Sequence, residues 1–563
     1  MHGRASLLVG AAALLLPLAV LPALGSCRFP STDKPADDTA ADTDADTDVD
    51  ADTDTDTDAD TDADTDTDTT GIAWIKELDR DTRTYGEIGV EIVTYSITEA
   101  NPTGYRDGDG GDPRFHVIRP IAFTEPDAAH PVLMWLHGSA QGIEGDVQLG
   151  SRCGVEGIAA IVSDAVNEHH FIAAEAANRE WIWVVPENTW CDLWTGLGAA
   201  DPVDTAHHGT EHVHTILDAL ETGFDGLQAD PARIYGWGTS IGGSGIVVVS
   251  GRDTPSRFAA VVVDSGPINP ASWYNLPSEQ PYLDHILGGA PYDDGGAPTA
   301  FYPNYARADG TLLVSEGGYR VPMFALYNEF DTLVPIRQND ELAALVETHY
   351  GADGVPYFHH DISHHAPSNS FHVQTGYERP PFSYTNRAAF SFLEGGGVSY
   401  YEAEDTCRAG VCTTIEESGA AVLESMSAYS QGAAVIREAA AGAGTLYEGD
   451  VPATVPRDRP ATILPVLAGE QLSDAAPADA VVTLELLADG RVVSTHVVQR
   501  GDLAAGTAET HAAYYAQVGN TTWLIDLDGD GDADPLPDGA LTVRATFAGL
   551  GKVWLDGFWV LAE

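Results

Sequence analysis

The segment Gly238-Thr239-Ser240-Ile241-Gly242 has the G-x-S-x-G spacing that sets a nucleophilic serine on a sharp turn. Flanking glycines let the backbone take a conformation that side chains resist, so the hydroxyl can stand above a sheet edge at a helix N-terminus. Glycine-rich chains produce this pattern by chance, and context decides. The apolar run 233–237 precedes the motif, and small and β-branched residues at 243–249 follow it, which predicts strand, turn and helix in that order. A serine hydroxyl becomes a useful nucleophile only when a base takes its proton and a carboxylate orients the base. The chemistry this points to is acyl transfer.

In a strand–turn–helix site of this kind the acid follows a later strand and the histidine comes last. The apolar run 323–327 leads into Asp331, just ahead of a helical stretch, and Asp331 is the expected acid. Asp264, after the run 259–263, is the competing carboxylate, and Glu329 a lesser one. A final strand is predicted over 355–362, followed by Ser363-His364-His365-Ala366-Pro367. His365 is favoured as the base because Pro367 turns the chain out of the strand. His364 and His372 stay open as alternatives, with His359 and His360 inside the strand. The oxyanion donors are expected to be the backbone amides of Ile241, next after the nucleophile, and of Ser139 in Leu136-His137-Gly138-Ser139.

The elements that must hold these residues are legible as apolar runs. Segments 131–137, 181–186, 232–237, 259–263 and 322–327 read as strands buried on both faces, and 210–220 and 338–348 as amphipathic helices. The fold class is α/β, a doubly wound, mostly parallel sheet. Gly395-Gly396-Gly397 breaks the pattern, and alternating runs such as 480–487 and 540–547 then predict an antiparallel β-sandwich. At 563 residues the chain has room for more than one folded unit. The expected division is a leader over 1–27, a linker over 28–71, a catalytic domain over 72–396 and a β-sandwich over 397–563.

The block Asp230-Pro231-Ala232-Arg233-Ile234-Tyr235 running into Gly238-Thr239-Ser240-Ile241-Gly242-Gly243 resembles that of polyhydroxybutyrate depolymerase-like, feruloyl and acetylxylan esterases of the α/β-hydrolase type. His137-Gly138 and Asp331-Thr332-Leu333-Val334-Pro335 match the oxyanion and acid motifs of that family, and the resemblance covers roughly 115–370. It implies a carboxylic-ester hydrolase that needs no cofactor for catalysis and acts on polyesters or polysaccharide-linked acyl groups. The chain departs from the pattern where the family has a glycine before its histidine, because Ser363 or His364 stands there. A serine peptidase on the same framework is the alternative enzyme. A surface binding protein on a degenerate hydrolase fold is the non-catalytic one.

The N-terminus concerns location. His2 and Arg4 precede an apolar run over 5–24, which Pro17 and Pro22 interrupt, and Leu24-Gly25-Ser26-Cys27 resembles a bacterial lipobox. Lipidation at Cys27 would place the protein in the cell envelope, on the outer membrane, with the lipid as its one membrane contact. An uncleaved anchor or an ordinary signal peptide are the alternatives. Residues 31–70 hold 17 aspartates and a single lysine, and the Asp-Thr/Ala alternation over 37–70, with no aromatic residue, predicts a solvated tether of at most about 110 Å. The whole chain carries a formal charge of −59, which argues against nucleic acid and anionic lipid headgroups as partners; a monomer is the expected state. With Cys27 set aside, Cys153 with Cys191 and Cys407 with Cys412 are the simplest disulfide pairs in an oxidising compartment; free buried thiols are the other reading.

Other patterns compete for a function. His208-Gly209-Thr210-Glu211-His212 spells the H-x-x-E-H of some zinc peptidases, although a scaffold helix just before the nucleophile strand explains it more simply. Asp526, Asp528, Asp530, Asp532 and Asp534 alternate around Gly529 and Gly531 like a structural calcium loop, with Pro537 where the twelfth-position glutamate belongs. A solvated acidic turn is the alternative. Tyr401-Glu402-Ala403-Glu404-Asp405 and Leu555-Asp556-Gly557-Phe558 resemble the two ends of carbohydrate-binding jelly-roll modules that hold a structural calcium, so sugar binding is one reading of the last domain and a purely stabilising role the other. Trp190 and Trp194 are candidates for a substrate cleft or for ordinary packing.

Overall fold

The computed structural model describes residues 71–85, 88–98, 112–126, 128–138, 170–187, 194, 208–328, 331, 333–351, 356–361, 382–403, 414–416, 433–452, 455–505, 514–516 and 518–562. The leader, the aspartate-rich stretch, all five cysteines, Ser139, Trp190, Glu329, His364, His365, His372 and Glu404 lie outside the described residues.

Nine strands form one sheet: β1 (Ile75–Tyr85), β2 (Ile88–Ile97), β3 (Arg114–Pro120), β4 (His130–Leu136), β5 (Ile182–Pro186), β6 (Ala229–Thr239), β7 (Phe258–Asp264), β8 (Met323–Tyr327) and β9 (Tyr357–Asp361). Their spatial order is β1-β2-β3-β5-β4-β6-β7-β8-β9. From β5 to β9 neighbouring strands are parallel, whereas β1, β2 and β3 add an antiparallel edge. The sequence reading marked the parallel strands and not this edge. Alternation in β1 to β3 is blurred by charge; β1 carries Lys76, Glu77, Asp79, Arg80, Asp81 and Arg83, the kind of outer strand that resists pairing with another chain.

Among the described residues, the helices of the α/β region are α1 (His170–Asn178), α2 (His208–Thr222), α3 (Ile241–Arg252), α4 (Pro270–Trp273), α5 (Gln280–Leu287), α6 (Tyr302–Ala308), α7 (Gly310–Ser315), α8 (Arg337–Tyr350) and α9 (Phe382–Leu393). Because side chains alternate along a strand, each central strand feeds two cores. Leu133, Trp135, Trp237, Val262 and Phe324 face α1 and α9, while Val132, Met134, Leu136, Val261 and Ala325 face α2, α3 and α8. Every residue of β4, β5 and β8 is buried, which accounts for their apolar composition, broken only by His130 at the start of β4.

Beyond Gly397 the chain forms two antiparallel sheets. The smaller runs Gly444–Asp450, Leu541–Phe547, Ala480–Ala488, Arg491–Gln499 in spatial order, and the larger has eight strands with Ala461–Glu470 paired to Lys552–Ala562. Those two paired strands are almost entirely buried on both faces. One face meets the smaller sheet. The other joins the α/β core: the Phe324 ring lies 5.5 Å from that of Phe392 on α9 and 6.4 Å from that of Trp559. A single apolar cluster therefore runs from the central sheet through α9 into the β-region. A change from α/β to all-β architecture at Gly397 is not matched by a break in the core.

Removing the ring at this junction leaves a cavity shared by both regions. Trp559→Ala is expected to cost about 3–5 kcal/mol and to lower one common unfolding transition. Calorimetry showing two separate transitions, with only one moved by the substitution, would contradict the shared core.

Candidate active site

Ser240 occupies the turn between β6 and α3 with φ 55° and ψ −123°, a backbone conformation that a residue with a side chain adopts only when its surroundings impose it. The surroundings are backbone. A Cβ on Gly238 would sit 2.0 Å from the Gly242 carbonyl oxygen, and one on Gly242 would sit 1.9 Å from that of Leu136. No side chain fits at either place, so the two motif glycines are steric requirements of the turn. The Ser240 amide donates to the Asp264 carbonyl at the end of β7 (2.7 Å), and its own carbonyl accepts from the Gly243 amide (2.7 Å). As the first residue of α3, Ile241 offers its amide at the positive end of the helix.

The end of β4 faces this turn. A Cβ on Gly138 would lie 3.0 Å from Ser240 Cβ and 3.6 Å from its Oγ, so the His137-Gly138 loop passes directly against Ser240. His137 is buried, and its Nδ1 contacts the Gly138 carbonyl at 2.6 Å. A carbonyl only accepts, so Nδ1 carries the hydrogen in that bond. Burial pulls the His137 imidazole down to about 4, which keeps it neutral at ordinary pH. Trp194 is fully buried above the same loop; its indole Nε1 donates to the His137 carbonyl (3.3 Å). Packing therefore explains Trp194, and it does not line a cleft.

The carboxylate expected as the acid lies beyond the next strand. Asp331 is buried in the loop after β8, and its Oδ1 accepts from the amides of Leu333 (2.8 Å) and Val334 (3.0 Å). Two donors on one oxygen fix the orientation of the carboxylate. β9 ends at Asp361, which pairs with Tyr327 at the end of β8, and His364 and His365 lie outside the described residues. Asp264, the competing acid, is fully buried at the end of β7; Ser265 Oγ donates to its Oδ1 (3.1 Å), and its carbonyl anchors the nucleophile turn.

Beside the oxyanion loop lies a polar chain that motif reading missed. His116 on β3 joins Thr94 Oγ1 through Nδ1 (3.0 Å) and Glu187 Oε1 through Nε2 (2.9 Å). His212 on α2, the last residue of the H-x-x-E-H pattern, is fully buried, and burial drives its imidazole down to about 3. Among the described residues, the metal-ligating groups that converge are Asp526, Asp528 and Asp534, whose ligand atoms lie within 4.8 Å of one another; none on α2 does so. Asp530 and Asp532 stay outside that trio. Its donors are hard carboxylate oxygens, which suits calcium better than a transition metal, while the amides of Leu527, Gly529 and Gly531 already donate to Asp526 and Asp534. Asp556, at the far end of the β-region, is buried and accepts from the Tyr400 hydroxyl (2.7 Å).

Serine at a strained strand-to-helix turn, a glycine loop against it and a carboxylate after β8 complete the described part of the constellation. This is an α/β-hydrolase fold. No family model and no curated protein matches the sequence. Similar solved structures are hydrolases of this fold at low identity. An S-formylglutathione hydrolase from Agrobacterium tumefaciens is 15% identical, with 57% of this chain and 97% of that one covered and a TM-score of 0.35. An acetyl xylan esterase from Paenibacillus sp. R4 is 13% identical over 56% of this chain and 88% of that one, with a TM-score of 0.37. A puromycin-hydrolyzing peptidase from Mycobacterium tuberculosis is 15% identical over 55% of this chain and 46% of that one, with a TM-score of 0.35. Likeness at this level says nothing about substrate.

Two of the imidazoles that burial depresses, His137 and His212, make stability depend on acid. Between the ordinary histidine value near 6.5 and the native values of about 4 and about 3, the unfolded chain binds protons that folded His137 and His212 refuse. The contribution of these two imidazoles to stability is therefore full above pH about 6.5 and falls as pH drops through that window. Urea titrations should show this loss, and His212→Leu should reduce its slope by up to about one proton. An unchanged slope in the variant would contradict the assignment.

Proposed function

We propose that this chain is a serine hydrolase that cleaves carboxylic esters through an acyl-enzyme, with Ser240 as nucleophile, Asp331 as the orienting acid and a histidine from the segment after β9, His365 first, as base. The observation that carries the reading is the forced turn at Ser240, which has no structural purpose that a glycine would not serve with less strain. In the reaction Ser240 Oγ attacks the ester carbonyl carbon as its proton passes to the imidazole, and Asp331 steadies the imidazolium. The oxyanion that forms is held by the amides of Ile241 and Ser139. Collapse releases the alcohol, which takes the proton back from the imidazolium. Water activated by the same base then attacks the acyl-enzyme, freeing the acid and Ser240.

The choice of ester over peptide rests on the nucleophile block 230–243 and its resemblance to polyester and feruloyl or acetylxylan esterases. A neutral acyl group fits a chain of charge −59 better than an anionic one, which the field of the protein repels. No metal or organic cofactor takes part in these steps.

A panel of p-nitrophenyl, feruloyl and acetyl-sugar esters, assayed beside peptide substrates, tests the reading. Ester turnover is expected, with Ser240→Ala lowering kcat at least about a thousandfold and Asp331→Asn by about 10³ to 10⁴. Cleavage of peptides without esters would move the assignment to a serine peptidase. Asp264→Asn with the larger loss, and Asp331→Asn with little, would move the acid to β7.

A further inference from the structure

We infer that two buried tryptophans, Trp194 and Trp273, are positioning residues for catalysis: each uses its indole N–H to fix a backbone carbonyl in a loop that carries one half of the catalytic apparatus. The inference rests on the serine-hydrolase reading and deepens it. Neither side chain touches the reacting atoms.

Trp194 is wedged between the first turns of α2 and α3. A Cβ on Gly209 would lie 2.8 Å from the Trp194 Cα, and one on Gly245 would lie 2.5 Å from its ring. Both helices thus carry a glycine where this residue passes, and its backbone holds a positive φ of 62°. The indole donates to the His137 carbonyl at 3.3 Å and meets the His137 ring edge-on at 5.2 Å. His137 in turn holds the Gly138 carbonyl through Nδ1 at 2.6 Å. The C=O and N–H of a trans peptide point in opposite directions. Gripping the His137 carbonyl therefore fixes the direction of the Gly138 amide, in the loop that lies against Ser240 and is expected to carry the oxyanion donor.

Trp273 does the corresponding work on the acid. It is 4% exposed, and its Nε1 donates to the Leu333 carbonyl at 2.6 Å, while the Leu333 amide donates to Asp331 Oδ1 at 2.8 Å. One residue thus has its carbonyl gripped by the indole and its amide on the carboxylate. The short helix that presents Trp273 is pinned at its start, where the Asn269 side chain accepts from the Ser272 amide (2.9 Å). A buried indole N–H needs an acceptor somewhere, and core tryptophans often find one in a strand or helix. Here both acceptors lie in irregular loops, where no ladder of backbone hydrogen bonds sets the peptide orientation.

The two clamps predict different kinetic signatures, which packing alone would not produce. Trp194→Phe and Trp273→Phe keep an aromatic ring and remove the donor. Both are made in the full chain and assayed on p-nitrophenyl acetate across pH, with Ser240→Ala as the zero and thermal unfolding as the check on folding. Trp194→Phe is expected to lower kcat about tenfold or more at every pH, with KM held within about twofold, because the oxyanion donor is loosened. Trp273→Phe is expected to lower kcat and to move the acid limb of kcat/KM to lower pH, because a less steady Asp331 supports the imidazolium less well. If a phenylalanine variant fails to fold, benzothienylalanine at the same position, a bicyclic ring lacking only the N–H, should give the same loss. Folded variants with parental rates and pH profile overturn the clamps and leave the serine-hydrolase reading standing. A parent no faster than Ser240→Ala overturns both.

Discussion

The candidate site depends on how closely backbone approaches backbone at the carboxyl edge of the sheet. Three stretches meet there: the end of β4 from Leu136 to Gly138, the turn from Gly238 to Gly242, and Asp264 at the end of β7. A single Cβ at Gly238 or Gly242 would overlap a carbonyl by more than side-chain adjustment could relieve. The turn is consequently as tight as the chain allows, and Ser240 is the one residue in it that keeps a side chain while holding a positive φ. Strain of this kind costs of order 1–3 kcal/mol and survives only where neighbouring structure over-determines it. Here the buried ends of β6 and β7 and the buried residues 241–250 of α3 supply that determination.

At the turn and in the loops near it the protein holds fixed dipoles in buried positions. The start of α3, the neutral His137 with its proton on Nδ1, the indoles of Trp194 and Trp273 and the bridge from Thr94 through His116 to Glu187 are all buried or nearly so. Preorganised donors in a dry site stabilise developing charge without reorganising as the reaction proceeds. The same burial holds His137 and His212 neutral, which ties the integrity of the loop to pH. On the opposite face of the sheet the β-region closes the core through Trp559, so the platform that carries the turn is completed by residues more than two hundred positions away from the strand they cover.

How far the sequence anticipates this depends on the range of the interaction. The central strands and α2, α3 and α8 follow from local hydrophobic pattern, and the observed bounds differ from the expected ones by a few residues. The turn at Ser240 and the carboxylate of Asp331 were equally legible, because a glycine pair and a strand-end loop are local signals. The histidine was not, since His364 and His365 are adjacent and the glycine that would mark one of them is missing. Trp194 shows the limit most clearly. Its position near Cys191 fitted a cleft or the core, and what decides it are Gly209 and Gly245, on helices whose packing no local pattern reveals. The junction of Phe324, Phe392 and Trp559 was invisible for the same reason: three aromatic residues in three separate elements carry no shared spacing.

The central claim is that the forced geometry at position 240 exists to expose a reactive hydroxyl. Treating the intact protein with a fluorophosphonate and locating the adduct by peptide mass spectrometry tests it most directly. The account predicts one phosphonyl group, on Ser240, and none after mild unfolding in urea, when the turn and its oxyanion donors are gone. A folded protein that takes up no label, or that carries it on another serine while Ser240 stays unmodified, would contradict it.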